Sequence, residues 1–247
     1  MGLGNNSVAM MIKKVQLGEQ VDLILFADTG GEKPRTYQYL DMFSKWLSDR
    51  DYPEIIVVKK VRADGRIHEL EEDCLENNML PSIAYGFKSC SLKFKVGPQD
   101  KYCNNWAPAK AHWKAGGKVT KLMGIHASET HRAIESKDKK YEFEYPLIEW
   151  DMDGEDCEEL IKSAGLPVPG KSACFFCPSS KMAEIMALPR DLQERAVAME
   201  ENADLTTVLG LGRRFSWKNA IKADREQMRL FDNMVPEIDC VCLDGDE

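Results

Sequence analysis

Val21-Asp22-Leu23-Ile24-Leu25-Phe26-Ala27-Asp28-Thr29-Gly30-Gly31 is the stretch that decides the architecture. Val21 to Ala27 is apolar except for Asp22. A short unbroken apolar run bounded by turn residues suits a strand buried on both faces of a parallel sheet. Asp28-Thr29-Gly30 ends it, and open parallel sheets bind ligands at the carboxyl ends of their strands. Asp28 serves equally well as a ligand contact or as the side chain of an Asx turn. Tyr37, Leu40, Phe43 and Leu47 then recur at helical spacing within Pro34 to Leu47, and Glu54 to Lys59 is a second short strand. With the apolar helix start at Val8 to Ile12, the first sixty residues read helix–strand–helix–strand, which signals α/β architecture.

Ahead of that strand lies Gly2-Leu3-Gly4-Asn5-Asn6-Ser7. A glycine-containing loop closing on a helix N-terminus is an anion site, because backbone N–H groups and the macrodipole face the ligand together. A flexible segment capped by Asn or Ser reads the same way. Further along, His68 to Asn77 is helical and acidic, and Pro81 to Tyr102 reads as irregular. Tyr102 to Lys114 reads as a helix, with Trp106 and Trp113 there for packing. Val119 to Ile125 is a third strand, followed by the polar run His126-Ala127-Ser128-Glu129-Thr130-His131-Arg132. Tyr145 to Trp150 looks like a short edge segment. Helices are expected over Gly154 to Ala164, Met182 to Leu188, Asp191 to Glu201 and Trp217 to Asp232. Between the last two, Gly210-Leu211-Gly212-Arg213-Arg214 reads as a flexible or anion-contacting turn.

The 247 residues suffice for one large core, and no apolar run approaches the ~20 residues that span a bilayer. The N-terminus shows no basic region followed by an apolar stretch. Eight cysteines without that signal suggest a reducing, cytoplasmic setting, where cysteine clusters mean metal or catalysis more often than disulfides. A formal net charge of -8 argues against coating nucleic acid by bulk electrostatics. The acidic runs Glu69 to Glu76 and Asp151 to Glu159 read as solvated helix faces.

Cysteine chemistry centres on Cys174-Phe175-Phe176-Cys177-Pro178. Cys-x-x-Cys is half a metal site, a redox pair or two buried core thiols. Pro178 suits the first turn of a helix, which would set both thiols near a positive helix end that favours thiolate. Cys90 precedes Lys93 and Lys95, lysines that suit an anionic substrate or a lowered thiol pKa. Cys90, Cys174 and Cys177 with Cys240 or Cys242 would make a four-thiolate site for zinc or an iron–sulfur cluster. Cys74 and Cys157 read as core residues, and Cys103 is undecided.

In their order and spacing these stretches resemble the phosphoadenosine phosphosulfate reductase-like family of the PP-loop superfamily. The resemblance runs from Gly2–Ser7 through Asp28-Thr29-Gly30, Cys90 with Lys95 and Pro98, Gly124–Arg132 and Pro146–Trp150 to the Cys174/Cys177 loop. It implies a doubly wound parallel sheet of PP-loop, HUP-like type over residues 1–170. Residues 171–247 would form a cysteine loop and helical extension packed on the same core. It also implies ATP or a related adenine nucleotide held by Gly4, Asn5, Asn6, Ser7, Asp28, Thr29, Gly30 and Gly124. Lys93, Lys95, Glu129 and Arg132 would line the anionic end as catalytic groups, and a [4Fe–4S] cluster, with zinc as the alternative, would sit on Cys90, Cys174, Cys177 and Cys240. Members that split ATP carry Ser-Gly-Gly-Lys-Asp-Ser in the first loop. Here Leu3 replaces a glycine, Asn5 the lysine and Asn6 the aspartate that helps hold Mg²⁺.

The resemblance implies sulfur transfer to an acceptor or reduction of a sulfonucleotide. Its rival is a non-catalytic, metal-stapled subunit of a nucleic-acid modification complex, with a nucleic acid or a protein as partner. A zinc-stabilised structural protein is a third reading. No membrane association is expected.

Overall fold

The computed structural model describes the backbone of residues 1–232 and the side chains through Gln227. Cys240 and Cys242, and with them the end of the 171–247 extension, lie outside the described residues. The protein is α/β. Helix α1 (Asn5–Leu17) leads to β1 (Ile24–Asp28), α2 (Pro34–Ser48), β2 (Ile55–Lys59) and α3 (Leu70–Glu76). After a 3-10 turn at Ser82–Tyr85 come α4 (Ser89–Ser91), a π turn (Leu92–Val96), α5 (Gly97–Asn105) and α6 (Ala107–Lys114). Then follow β3 (Val119–Leu122), β4 (Tyr141–Glu144), α7 (Pro146–Glu149), α8 (Gly154–Ser163), α9 (Met182–Met186), α10 (Arg190–Asn202) and α11 (Trp217–Asp232). No helix among the described residues is long and apolar enough to cross a membrane.

β1 is buried at every position, as its unbroken apolar run requires. It pairs in parallel with β2, from Ile24 opposite Ile55 to Asp28 opposite Lys59. β3 and β4 form a second parallel pair, from Val119 opposite Tyr141 to Leu122 opposite Glu144. Among the described residues the strands therefore pair as two separate ladders, where one doubly wound sheet was expected. Met1 donates to the Leu25 carbonyl, but Leu3 turns into the left-handed region (φ 56°) and Gly4 caps α1, so this segment adds no ladder to β1.

Several segments differ from their sequence reading. Residues 89–105, read as mostly irregular, are helical throughout. Gly97 and Pro98 look like breakers, yet the wider π turn ahead of them absorbs the missing proline N–H. The single helix expected over Tyr102 to Lys114 is two: Pro108 has no N–H to continue the helix and its ring would crowd the carbonyl four residues back, and the chain breaks at Trp106, which is extended (ψ 123°). The edge segment at Tyr145 is the short helix α7, started by Pro146 at its first position. β4 had no counterpart in the sequence reading.

The N-terminal core packs Phe26, Phe43 and Leu47 against Val8, Ile12, Leu147, Cys157 and Ile161. A second core joins Phe94, Phe175 and Phe176 to Ile185, Leu192, Met199 and Trp217. At its far edge, buried Glu200 accepts from the backbone N–H groups of Leu211 (2.8 Å), Trp217 (2.9 Å) and Lys218 (3.2 Å) and from the Ser216 hydroxyl. The anion that the Gly210–Arg214 turn contacts is thus the chain's own carboxylate, placed at the positive end of α11. A Cβ on Gly210 would stand 2.3 Å from Glu200 Oε2, which explains the glycine. Glu200→Ala strands several buried donors. It should cost roughly 3 kcal/mol in urea unfolding, with Glu200→Gln in between.

Cys157 lies fully enclosed on α8. Burial first, then Asp156, Asp153 and Glu158, push its thiol up to about 11 from an ordinary 9.0. The folded chain holds this proton more tightly than the unfolded chain does. The resulting stability is complete below the unfolded value and is lost as pH rises through the folded one. Urea midpoints of the reduced protein should fall between about pH 8 and 10.5, and less steeply in Cys157→Ala. Equal slopes would remove Cys157 from that account.

Candidate functional site

The turn after β1 is built around Asp28, which is 5% exposed. One carboxylate oxygen accepts from Gly30 N and from the Tyr37 hydroxyl, each at 2.8 Å, and the other meets Lys59 Nζ at 2.9 Å. Asp28 is therefore the Asx-turn residue, with both oxygens engaged inside the chain. Gly30 adopts φ +78°, and a side chain there would run into Glu69. Thr29 faces the cysteine loop, its Oγ1 3.1 Å from Cys174 Sγ.

That loop docks on the same turn. Phe175 N donates to Gly31 O (2.7 Å), Glu32 and Cys174 form an antiparallel bridge, and the Phe176 ring lies over Gly31, where a Cβ would stand 2.5 Å from it. Cys174 to Cys177 is a tight turn closed by Cys177 N to Cys174 O (3.0 Å). α9 starts only at Met182, so Pro178 does not begin a helix and neither thiol sits at a positive helix end. Burial, followed by the Glu32 carboxylate, pushes the Cys174 thiol up to about 12, against the lowering expected. At neutral pH, without a metal, it is a thiol.

Lys93 and Lys95 both come to this site, and each is paired. Lys95 Nζ lies 2.8 Å from Glu32 Oε1, on a carboxylate with no exposed surface. Burial opposes the lysine's charge, but the Glu32 carboxylate outweighs it and raises its pKa. Glu32 Oε2 is buried without a partner among the described residues. Lys93 bonds both oxygens of Asp73 at 2.6 and 2.7 Å, and His68 Nε2 stands 3.2 Å from the same carboxylate. The acidic face of α3 is therefore only partly solvated: Asp73 and Cys74 point inward.

The α1 N-terminus forms the other wall. Gly4 is its N-cap, no side chain caps it, and its first turn holds no acid. The N–H groups of Asn5, Asn6 and Ser7 precede the first intrahelical bond, Val8 N to Gly4 O at 3.1 Å. Their side chains point elsewhere. Asn5 bridges Glu158 (2.9 Å) and Gly170 N (2.8 Å), Asn6 donates to Gly124 O (3.3 Å), and Ser7 donates to Gly4 O (3.0 Å). Gly124 is pressed against this turn: a Cβ on it would lie 3.2 Å from Ser7 N. The hydroxyl of Ser172, next to Gly4, is buried without a partner among the described residues.

Glu129 and Arg132 sit at the exit of β3, in a 3-10 turn at Ala127–Arg132, and pair with each other at 2.6 Å. His126 Nε2 is 3.5 Å from Glu129, and Ser128 Oγ is 2.9 Å from His126 Nδ1. The four expected catalytic groups thus divide. Lys93 and Lys95 join the cysteine side, while Glu129 and Arg132 form a separate ion pair beyond Gly124.

Cys90 and Cys177 are half-buried against the second core, to which Cys74 and Cys174 belong. Among the described residues no three His, Cys, Asp or Glu side chains stand together as a ready single-ion site. Compared with protein-family models the chain matches none, and no curated protein matches it. Sequence reading passed over Glu32, Asp73 and Lys59. Glu32 had a usable signal, an acid directly after the Gly30-Gly31 turn, but Asp73 was indistinguishable from its acidic neighbours. Lys95→Met should strand the buried Glu32 charge and cost roughly 3 kcal/mol in chemical unfolding. Adding Glu32→Gln should restore most of the loss. Full stability of the single variant would show that Glu32 is neutral or solvated.

Proposed function

We propose that the chain is an adenine-nucleotide-binding PP-loop enzyme of the phosphoadenosine phosphosulfate reductase-like kind, acting in sulfur transfer or sulfonucleotide reduction. The observation that carries the reading is the uncapped N-terminus of α1, framed by Gly124 from the exit of β3 and by Ser172 from the cysteine loop. Three backbone donors and an unpartnered hydroxyl in one place match the needs of a phosphate chain. With Asn5 in the lysine position and tied to Glu158, charge neutralisation falls to the backbone and the helix dipole. That weakens the case for ATP cleavage more than the case for binding.

The thiols support the sulfur half of the proposal. Cys90, Cys174 and Cys177 gather on one core, and Lys95 lies close to Cys174 and Cys177. A soft four-sulfur set fits a [4Fe–4S] cluster or zinc. When bound, a cluster supplies electrons or an open iron for sulfide. The chain's own part is to hold the thiols, shield them from water behind Phe175 and Phe176, and offset their negative charge with Lys95.

A second reading, a nucleotide-binding subunit without catalysis, is favoured by the commitment of Asn5 to in-chain bonds. Titration of the anaerobically purified protein with ATP, AMP and phosphoadenosine phosphosulfate tests both. At least one should bind, and Gly124→Val, which forces α1 away from Gly124, should weaken it at least tenfold, about 1.4 kcal/mol. Release of AMP and pyrophosphate from ATP, or of sulfite from the sulfonucleotide, would exclude the silent subunit. An absence of binding at millimolar concentration of all three would overturn the nucleotide reading itself.

A further inference from the structure

The sequence points to the C-terminal cysteines for a fourth thiolate and to the core for Cys74. The fold does bury Cys74 in the core, and it is the core that also holds Cys174. Cys74 lies one turn into α3, on the inward face shared with Leu70. Leu70 N donates to Thr29 O at 2.9 Å, and Thr29 Oγ1 touches Cys174 Sγ at 3.1 Å, so one residue ties the start of α3 to the cysteine loop. The Cys90 segment is clamped to the same helix by Lys93, which bonds both oxygens of Asp73, the residue before Cys74. Cys90 stands one helical turn ahead of Phe94, which is 1% exposed and packs into the core that holds Cys74 and Cys174. Three chain segments distant in sequence thus deliver Cys74, Cys90 and the Cys174/Cys177 pair to one neighbourhood.

A thiophilic metal would hold these four sulfurs as thiolates, because a coordinating thiol is deprotonated outright. Lys93 and Lys95 already stand beside the group and would compensate thiolate charge. The other two described cysteines lack these relations. Cys157 belongs to the N-terminal core, and Cys103 packs beside Tyr141 under the exposed face.

We propose that Cys74 is the fourth thiolate of a metal centre formed with Cys90, Cys174 and Cys177. The inference rests on the reading of a cysteine-bound metal centre and goes beyond it in naming the ligand set.

The test uses the full chain purified without oxygen, with metal and labile sulfide quantified and retention measured against a competing chelator. Cys74→Ser should retain metal at least tenfold less tightly than wild type and change the absorption spectrum, as Cys174→Ser does. The Cys240→Ser/Cys242→Ser double variant and Cys157→Ser should match wild type. Mass-spectrometric mapping of alkylation in wild type at intermediate urea gives a readout independent of any variant's folding. Metal should shield Cys74 together with Cys90, Cys174 and Cys177, while Cys103 and Cys157 react. Undiminished metal in Cys74→Ser, or its loss in the double variant, would overturn the ligand assignment alone. A wild-type protein that takes up neither iron with sulfide nor zinc would overturn the metal centre itself.

Discussion

The contact between the cysteine loop and the turn after β1 governs the rest of the structure. Phe175 reaches the Gly31 carbonyl, Phe176 covers a glycine that no larger residue could replace without displacing the ring, and Thr29 holds the Cys174 thiol. These are short-range bonds between segments about 145 residues apart in sequence, so loop closure must be offset by what the contact buries. The two phenylalanines supply that: both are almost fully buried, edge to face at 4.7 Å. Once the loop is seated, it bridges the two hydrophobic cores. Gly170 and Ser172 lie by the α1 N-terminus in the first, while Cys174 to Phe176 lie in the second. The uncapped N-terminus of α1 and the thiols are therefore positioned by one segment, and a change in its seating moves both.

Seating it also forces an electrostatic solution. Glu32 comes in with the turn and carries a charge into a place without exposed surface, which is tolerable only with a partner. Lys95 is that partner, delivered by the π turn. Lys93, two residues earlier, projects to α3 and pairs with Asp73. In a regular α-helix residues two apart diverge by about 200°, and here the two lysines serve two different carboxylates on two different elements. The cations that sequence reading assigned to substrate thus have structural anchors. They remain beside the thiols, and a ligand arriving there meets lysines already fixed in orientation rather than free side chains to be ordered.

How legible all this was depends on the range of the signal. β1 and α2 were readable because their patterns are local: an unbroken apolar run and a 3.6-residue apolar repeat. β4 was not, because Tyr141-Glu142-Phe143-Glu144 is too short to alternate convincingly, and its pairing with β3 is settled only by the tertiary fold. Residues 89–105 misled because Gly97 and Pro98 are locally correct as breakers, while the π turn that tolerates them has no sequence signature. The site divides in the same way. The Asx turn at Asp28 and the glycine loop before α1 carry their chemistry in adjacent residues. The raised thiol of Cys174, by contrast, comes first from its burial by the tertiary fold and then from Glu32. A proline after Cys-x-x-Cys suggested a helix dipole acting on the thiol, and only the late start of α9 shows that it does not.

The same division bears on the altered first loop. Judged by residue type, replacing lysine by Asn5 removes a charge and weakens the phosphate site. In the fold Asn5 does something a lysine could not. Its amide accepts from Gly170 N and donates to Glu158, joining α1 to α8 and to the approach of the cysteine loop. A lysine has no acceptor for the Gly170 N–H. Asn5 thus braces the α1 N-terminus at the position where the resemblance would put a lysine. Preorganised backbone donors at a helix end bind an anion without a lysine. On the function proposed above, the loop would bind its anion by geometry rather than by a side-chain charge.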